Sequence, residues 1–201
     1  MESPSLNLNG VAVWAGLLSP GQQDEMVNDL RGLAADAPFR RYQTPHGQMS
    51  VRMSGAGHRA WFADRSGYRY ATAQPDGRIW PEIPASILAV WDAVSGVSQR
   101  PDSCLVNFYG EGAKMGMHQD KDEATTDWPV VSVSLGDDAL FRVGQSKRGG
   151  PTKSIWLHSG DVAVLEGVGR LAYHGIDRIR FRSSALLPEG GRINVTLRVA
   201  G

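Results

Sequence analysis

The sequence predicts a mainly β domain of antiparallel strands with two helices in its first half. The chain of 201 residues has the length of about one domain, and its hydrophobic fraction of 41% is ordinary for a soluble globular protein. Its 24 glycines and 11 prolines divide the chain into short segments. From about residue 103 apolar residues recur at every second position. Many short strands without intervening helices indicate a sandwich or barrel, with the helices covering one sheet.

Two segments have the spacing of helices. The first begins at Ser19, an N-cap residue followed by a proline and, at Gln22, by the glutamine of a capping box. Its apolar residues recur at helical intervals over 26–34. The second begins at Pro84 and has an apolar face over 87–94. We expect both helices to be packing elements.

The second half alternates apolar and polar residues in short runs separated by glycine-rich turns. The predicted strands are 104–109, 130–135, 140–143, 154–158, 162–165, 171–176 and 193–199. We therefore expect one domain over 1–201, with the helices and a mixed covering segment in 1–100 and the all-β body in 101–201.

Charge and composition exclude several classes of protein. Lys plus Arg and Asp plus Glu both number 21, which argues against a histone-like protein that holds polyanions by long-range charge. The sequence has no run of 18 apolar residues, so we expect no membrane span. It has no basic or apolar leader, so we expect no secretory signal. The single cysteine, Cys104, allows no internal disulfide and predicts a cytoplasmic protein. We expect a monomer without a membrane partner.

Residues 31–78 combine positive charge with aromatic side chains. Arginines exceed aspartates by five in this range, and six aromatic residues lie among them. This composition is typical of a surface that binds single-stranded nucleic acid through phosphates and stacked bases. It fits equally a solvated loop region with aromatic rings turned inward. The arginines are Arg31, Arg40, Arg41, Arg52, Arg59, Arg65, Arg69 and Arg78.

The most informative histidine is His118, because Asp120 follows it two residues later. In an extended chain both side chains point to one side. With a histidine from a distant strand, for which His174 is the candidate, they would form the 2-His-1-carboxylate triad that holds non-haem Fe(II). A His-x-Asp pair also arises by chance in β proteins, so this pair alone leaves both interpretations open.

The last predicted strand has polar residues, including Arg192, Asn194 and Arg198, on one face and apolar residues on the other. The polar face fits the wet side of a half-exposed sheet. It also fits a clamp for a small dicarboxylate, since each guanidinium can bind a carboxylate through two hydrogen bonds. Asn107 and Tyr109 share one face of the strand before His118, so these two strands would form an anion pocket beside the metal.

Separate short motifs follow one another between about residues 45 and 199. They are LVNFY (105–109), GAK (112–114), HQDKDE (118–123), VSVSLG (131–136), YHGI (173–176) and RINVTLR (192–198), preceded by matches at 49–51, 57–58, 61 and 67–70. In this order they resemble the AlkB family of Fe(II)- and 2-oxoglutarate-dependent dioxygenases, which remove alkyl lesions from nucleic-acid bases. The resemblance implies a double-stranded β-helix, or jelly roll, as the catalytic core in 101–201, with a nucleotide-recognition lid in 1–100.

The resemblance also implies cofactors, products and roles for individual residues. Fe(II) would be held by His118, Asp120 and His174, with O2 and 2-oxoglutarate as cosubstrates. The implied 2-oxoglutarate contacts are Asn107, Tyr109, Arg192, Asn194 and Arg198. The damaged base, 1-methyladenine or 3-methylcytosine in single-stranded DNA or RNA, would stack between Trp61 and His174 and lose its methyl group as formaldehyde, with release of succinate and CO2. The residues implied around the base or its phosphate are Met49, Tyr68, Asp122 and Arg148.

Two other functions stay open at this point. A cupin-like module would bind metal and ligand without turnover, and would produce no succinate from 2-oxoglutarate. The candidate dicarboxylate clamp argues against such a module. A dioxygenase of proteins or small molecules would act on methylated peptides or amides and not on methylated oligonucleotides. The arginines and aromatic residues of 31–78 favour nucleic acid.

Overall fold

Two antiparallel sheets form the body of the chain in the computed structural model, which describes residues 3–44, 47–64 and 67–201. The helices are α1 (Pro20–Asp36) and α2 (Ala85–Val94), and one 3-10 turn spans Gly167–Gly169. The strands are β1 (Leu6–Leu8), β2 (Val11–Trp14), β3 (Gln43–Thr44), β4 (Gly47–Gln48), β5 (Arg52–Gly57), β6 (Ala60–Asp64), β7 (Gly67–Ala71), β8 (Ser103–Tyr109), β9 (Met115–His118), β10 (Val130–Gly136), β11 (Asp138–Val143), β12 (Lys153–Leu157), β13 (Val162–Leu165), β14 (His174–Arg180) and β15 (Arg192–Arg198).

The strand order is that of a jelly roll with additional strands from the first half of the chain. The larger sheet runs β1-β2-β13-β10-β15-β8-β5, and the smaller sheet runs β12-β11-β14-β9. Strands β6 and β7 form a separate hairpin, as do β3 and β4. The predicted mainly β fold with two flanking helices is confirmed.

Alternation along the strands divides the core into two layers. On β10, Val131, Val133 and Leu135 belong to the layer that includes α1 and α2, whereas Val130 belongs to the layer between the sheets. Successive side chains of a strand point to opposite faces, so the larger sheet contacts helices on one side and the smaller sheet on the other. Buried Cys104 belongs to the helix-facing layer as a small apolar residue, and burial raises the pKa of its thiol to about 12.

Sequence periodicity misplaces one strand and misses others. The predicted strand 171–176 begins at His174, because residues 170–173 form a turn whose backbone bonds to another loop, as in Tyr173 N–H to the Gln145 carbonyl. Strands that precede residue 100 also pair with strands that follow it: β2 pairs with β13, and β5 pairs with β8. The division into a lid before residue 100 and a core after it stays a prediction about roles. Among the described residues, no helix combines the length and apolar character needed to cross a membrane.

Both predicted helices are confirmed, and α1 begins with the predicted capping box. Ser19 Oγ accepts a hydrogen bond from the Gln22 backbone N–H, and Gln22 Oε1 accepts one from the Ser19 N–H. Met26, Val27 and Leu30 are buried on the inner face of the helix. The cap therefore fixes the first turn of a helix that contributes to the main core.

Replacing Ser19 by alanine is expected to lower the free energy of unfolding by about 1 kcal/mol, because it removes the cap acceptor. Urea denaturation measures the effect. Exposed Ser98, which lies outside both helices, is the matched control, and Ser98→Ala is expected to change stability by less than about 0.5 kcal/mol. Equal unfolding midpoints for the two variants would show that the cap contributes nothing.

Candidate active site and metal centre

A cavity of about 390 Å³ lies between the two sheets. Strands β8, β10 and β15 line it from the larger sheet, and β9, β11 and β14 line it from the smaller one. The structure brings together in this cavity every site residue expected from the sequence. They are Met49, Trp61, Tyr68, Asn107, Tyr109, His118, Asp120, Asp122, Arg148, His174, Arg192, Asn194 and Arg198.

Pairing of β9 with β14 places His118 directly opposite His174, with ring centroids 4.5 Å apart. Gly175 permits this approach, because a Cβ there would lie 2.6 Å from the Met115 carbonyl oxygen. Asp120 Oδ1 lies 3.7 Å from His118 Nε2, and Asp120 Oδ2 lies 3.9 Å from His174 Nε2. In the described part of the chain, this is the one cluster of three or more potential metal-binding side chains. Two imidazoles and one carboxylate are the donor set of the facial triad that binds Fe(II).

Hydrogen bonds to backbone carbonyls orient both imidazoles. His118 Nδ1–H donates to the Gly116 carbonyl at 2.9 Å, and His174 Nδ1–H donates to the Ala172 carbonyl at 3.0 Å. A carbonyl only accepts, so each ring donates from Nδ1, and Nε2 of each ring faces Asp120. Burial lowers the pKa of His174 to about 4, although the neighbouring Asp120 opposes this shift. His174 is therefore neutral near pH 7.

Asp120 is ionised in spite of its burial. Burial by itself would raise the pKa of this carboxyl, but the charge of Arg198, together with the two histidines, lowers the pKa well below its usual range. Arg198 Nη2 donates to Asp120 Oδ2 at 2.9 Å. The site thus holds a carboxylate with one oxygen bound by arginine and the other facing His118.

Arg192, the other arginine of β15, is buried, and some of its N–H donors have no hydrogen-bond partner. Arg192 is 1% exposed, and its Nη2 donates to Ser134 Oγ at 3.0 Å. Its Nε and Nη1 have no partner, and neither has Nη1 of Arg198. A buried guanidinium with unpaired N–H groups is costly, and a carboxylate is an acceptor that can satisfy them with charge-assisted hydrogen bonds. The residues present therefore fit a bound dicarboxylate such as 2-oxoglutarate.

The other residues expected to contact 2-oxoglutarate differ in whether their polar atoms already have hydrogen-bond partners. Asn194 Nδ2 already donates to Ser132 Oγ at 2.7 Å and to the Val133 carbonyl at 3.0 Å. Asn107 Oδ1 is buried without a partner. Burial raises the pKa of Tyr109, an effect that neighbouring Arg192 opposes, so the phenol keeps its proton. Asn107 is available to a ligand and Tyr109 interacts with Arg192, whereas Asn194 mainly joins β15 to β10.

The β6–β7 hairpin supplies an aromatic wall. Trp61 and Tyr68 stack with centroids 5.2 Å apart and ring planes at 20°. Trp61 Nε1–H donates to Asp122 Oδ2 at 3.1 Å. On the smaller sheet's side, the Arg148 guanidinium lies 5.4 Å from the Tyr173 ring centroid. Tyr68 is 53% exposed, so the hairpin presents an accessible aromatic surface at the cavity.

Sequence reasoning assigned no role to a buried polar network behind the metal cluster. Glu123 accepts hydrogen bonds from the Tyr70 hydroxyl at 2.8 Å and from Arg170 Nη2 at 3.2 Å. Its Oε1 also lies 3.2 Å from Arg198 Nε. Burial raises the pKa of Tyr70, so the phenol stays a donor. Glu123 stands inside the HQDKDE motif, but no local pattern identifies Arg170 or Tyr70 as its partners.

Some residues of the arginine-rich range 31–78 fit a nucleic-acid-binding surface, and others fit a solvated loop region with aromatic rings turned inward. Arg69 pairs with Asp64 at 2.6 Å, and Arg52 lies over the Phe108 ring at 4.5 Å. Tyr42 is buried, as the solvated-loop interpretation requires, whereas Trp61 and Tyr68 line the cavity. Arg65 and His46 of this basic range lie outside the described residues.

The fold and the His-Asp-His cluster define an oxygenase: residues 10–198 match the 2OG-Fe(II) oxygenase superfamily, to which the chain belongs. Within it the chain is an AlkB-family protein. It is 49% identical over 202 residues to an Alpha-ketoglutarate-dependent dioxygenase AlkB homolog of Caulobacter vibrioides, covering 100% of this chain and 92% of that protein. It is 31% identical over 221 residues to the DNA N(6)-methyladenine demethylase ALKBH1C of Arabidopsis thaliana, covering 94% of this chain and 48% of that one.

A solved structure agrees with this placement. The structure of OsALKBH1 superposes with a TM-score of 0.81 at 30% identity, covering 96% of this chain and 97% of that one. The family inferred from motif order is thus confirmed. The protein is a dioxygenase that depends on Fe(II) and 2-oxoglutarate and uses O2.

Proposed function

We propose that this dioxygenase demethylates N-alkylated bases in single-stranded DNA or RNA, with 1-methyladenine and 3-methylcytosine as substrates. One O2 and one 2-oxoglutarate are consumed for each methyl group, which leaves as formaldehyde together with succinate and CO2. The observation that carries this proposal is that the triad, the unpaired Arg192 donors and the Trp61 wall meet in the same cavity. The Arabidopsis relative is a DNA N(6)-methyladenine demethylase by name, which supports a nucleic-acid substrate.

His118, Asp120 and His174 are the residues proposed to hold the iron. When bound, iron supplies the oxidising power that breaks the methyl C–H bond. The chain would supply two imidazoles and one carboxylate and would leave other coordination positions to cosubstrates. Met53, Leu105 and Phe141 contribute apolar lining that excludes water from the reacting groups.

The two arginines of β15 are proposed to bind opposite ends of 2-oxoglutarate. Arg198 contacts Asp120, so it would bind the carboxylate of the cosubstrate nearer the metal-binding residues. Nε and Nη1 of Arg192 have no hydrogen-bond partner, so the guanidinium keeps donors for a terminal carboxylate. Tyr109 lies directly opposite Arg192 in the β8–β15 ladder and would contact the same end.

Trp61 is proposed to stack on the damaged base, with Asp122 and Tyr68 fixing its ring. Methylation at the ring nitrogens of these bases leaves a positive charge, which the Asp122 carboxylate and the π-face of Trp61 both favour. The sequence resemblance makes His174 the opposite wall. The side chain of His118 is 41% exposed and that of His174 is 11% exposed, so the accessible area favours His118 for this contact.

Strand preference follows from the cost of extruding a base. A paired base costs a few kcal/mol to flip into a pocket, and an unpaired or mismatched one costs least. Arg148 and arginines of 31–78 would hold the flanking phosphates. Because the chain has no net charge, we expect few phosphate contacts and a shallow dependence of binding on salt. We also expect the enzyme to act as a cytoplasmic monomer.

A direct assay tests the proposed function. The protein is mixed with Fe(II), 2-oxoglutarate and oxygen, and formaldehyde and succinate are measured with oligonucleotides that carry 1-methyladenine or 3-methylcytosine. Single-stranded oligonucleotides, the matched duplexes and methylated peptides are compared. We expect the highest rate on single strands. Formaldehyde release from peptides but not from any oligonucleotide would reject the nucleic-acid proposal while leaving the dioxygenase class intact.

Trp61→Ala is expected to reduce base demethylation much more than the uncoupled decarboxylation of 2-oxoglutarate. Loss of one stacking partner costs about 1–3 kcal/mol, or roughly 5- to 150-fold in affinity for the base. The iron and the dicarboxylate clamp do not include this ring. The matched control is Trp156→Ala, since Trp156 packs under Arg180 outside the cavity. Equal loss of both activities in Trp61→Ala would make Trp61 a core residue.

A further inference from the structure

The strand ladder that carries both histidines is short. Strands β9 and β14 pair at His118–His174 and at Met115–Ile176, with a shift of register between these pairs. Residues 119–129, which carry Asp120, and residues 170–173, which lead into His174, belong to neither sheet. Backbone pairing therefore does not by itself hold the aspartate at a fixed distance from the histidines.

Two side chains cross between these segments in opposite directions. Gln119, which stands between His118 and Asp120, donates from Nε2 to the Leu171 carbonyl at 2.6 Å. Arg170 donates from Nη1 to the carbonyl of Asp120 at 2.6 Å. Each segment thus holds the backbone of the other, and the two bonds lie next to the ligand residues.

Each member of this pair has further bonds that limit its movement. Gln119 Nε2 also donates to the Ser146 carbonyl at 3.0 Å. Arg170 is 4% exposed; its Nε donates to the Trp128 carbonyl at 2.7 Å and its Nη2 to Glu123 Oε2 at 3.2 Å. Arg170 therefore contacts the segment 119–129 near its start at Asp120, in its middle at Glu123 and near its end at Trp128. A planar guanidinium can direct donors to three such points, whereas a lysine ammonium is a single point charge.

We propose that Gln119 and Arg170 form a reciprocal clasp that positions Asp120 relative to the two histidines and thereby sets the affinity of the site for its metal. Both act through the backbone of neighbouring segments, so they are positioning residues. The inference rests on the proposed role of His118, Asp120 and His174 as ligands. Outer partners of metal ligands typically change metal affinity by about 10–100-fold when they are replaced.

Binding of Co(II) alone to the metal-free protein tests the clasp without any substrate or turnover. The titration is followed by the visible absorption of bound Co(II), and the thermal midpoint of each metal-free variant is measured in parallel. We expect Gln119→Met and Arg170→Lys each to weaken Co(II) binding about 10–100-fold. Gln119→Met removes one amide and keeps the length of the side chain, so it carries the test if Arg170→Lys does not fold.

Matched controls separate positioning from general stability. Gln74 is a buried glutamine whose Nε2 also donates to two carbonyls, those of Asp36 at 3.2 Å and Ile79 at 3.1 Å, outside the cavity. Arg142 pairs with Asp177 at 2.6 Å and is likewise absent from the cavity wall. Gln74→Met and Arg142→Lys are expected to bind Co(II) as the unaltered protein does, even where their thermal midpoints fall.

The outcomes are distinguishable. Unaltered Co(II) affinity in both clasp variants would overturn the inference, as would an equal loss in the clasp variants and the controls. If His118→Ala binds Co(II) as tightly as the unaltered protein, the ligand assignment fails and the clasp fails with it. Weakened Co(II) binding without any activity on methylated oligonucleotides would support the clasp and reject only the proposed substrate.

Discussion

Replacing Asp120 by asparagine is expected to abolish 2-oxoglutarate decarboxylation and base demethylation together. The substitution keeps the shape of the side chain but removes the charge, so one of three proposed protein bonds to iron is lost. We expect activity to fall by more than about 100-fold, beyond the effect of changing an outer partner. His118→Ala and His174→Ala are expected to have the same result. Iron content and succinate production, measured on the same samples, check the prediction.

A matched control lies in the same loop. Asp127 is exposed and accepts a hydrogen bond from Thr125 Oγ1 at 2.6 Å, outside the cavity. Asp127→Asn is expected to keep full activity and iron content. If any one of the three triad variants retains full activity, the residue concerned is not a ligand.

Arg192→Ala is expected to raise the 2-oxoglutarate concentration needed for half-maximal activity by at least about 30-fold. Truncating one partner of a buried charge pair costs about 2–5 kcal/mol, and every 1.4 kcal/mol is tenfold in affinity. Lysine should rescue the variant poorly, because one ammonium cannot replace the planar N–H donors of the guanidinium. Titration of 2-oxoglutarate against succinate production measures the change.

Arg198→Ala is also expected to raise the 2-oxoglutarate requirement, and in addition to reduce iron content, since Arg198 holds Asp120. Arg142→Ala removes an arginine outside the cavity and serves as the control. An unchanged 2-oxoglutarate titration in both Arg192→Ala and Arg198→Ala would show that β15 presents only an ordinary polar face.

Local patterns predicted much of the fold because their causes are local. The capping box of Ser19 and Gln22 requires only residues three apart, and the alternation in β10 and β15 follows from the geometry of a single strand. The strand that begins at His174 was placed too early, because alternation persists through a turn whose hydrogen bonds go to a distant loop. Strands β2 and β5 were not predicted, and each pairs with a strand far along the chain: β2 lies between β1 and β13, and β5 pairs with β8.

The sequence by itself determined the family and the candidate site residues, although not Tyr70 and Glu123, which also line the cavity. Motifs in a fixed order carry that information, and the spacing of His118 and Asp120 places both side chains on one side of the chain. Spacing could not show that His174 lies opposite His118, because 55 intervening residues separate them and the contact depends on sheet pairing.

Only the tertiary structure decided which polar side chains of the cavity have hydrogen-bond partners and which do not. Arg192 and Arg198 are equivalent in the sequence pattern, yet Arg198 is paired with Asp120 while two nitrogens of Arg192 have no partner. The contacts of Gln119 and Arg170 are likewise invisible to any local pattern. Burial and hydrogen bonding are set by segments that meet only when the two sheets close on each other, so the charge state and the positions of the ligands are properties of the folded chain.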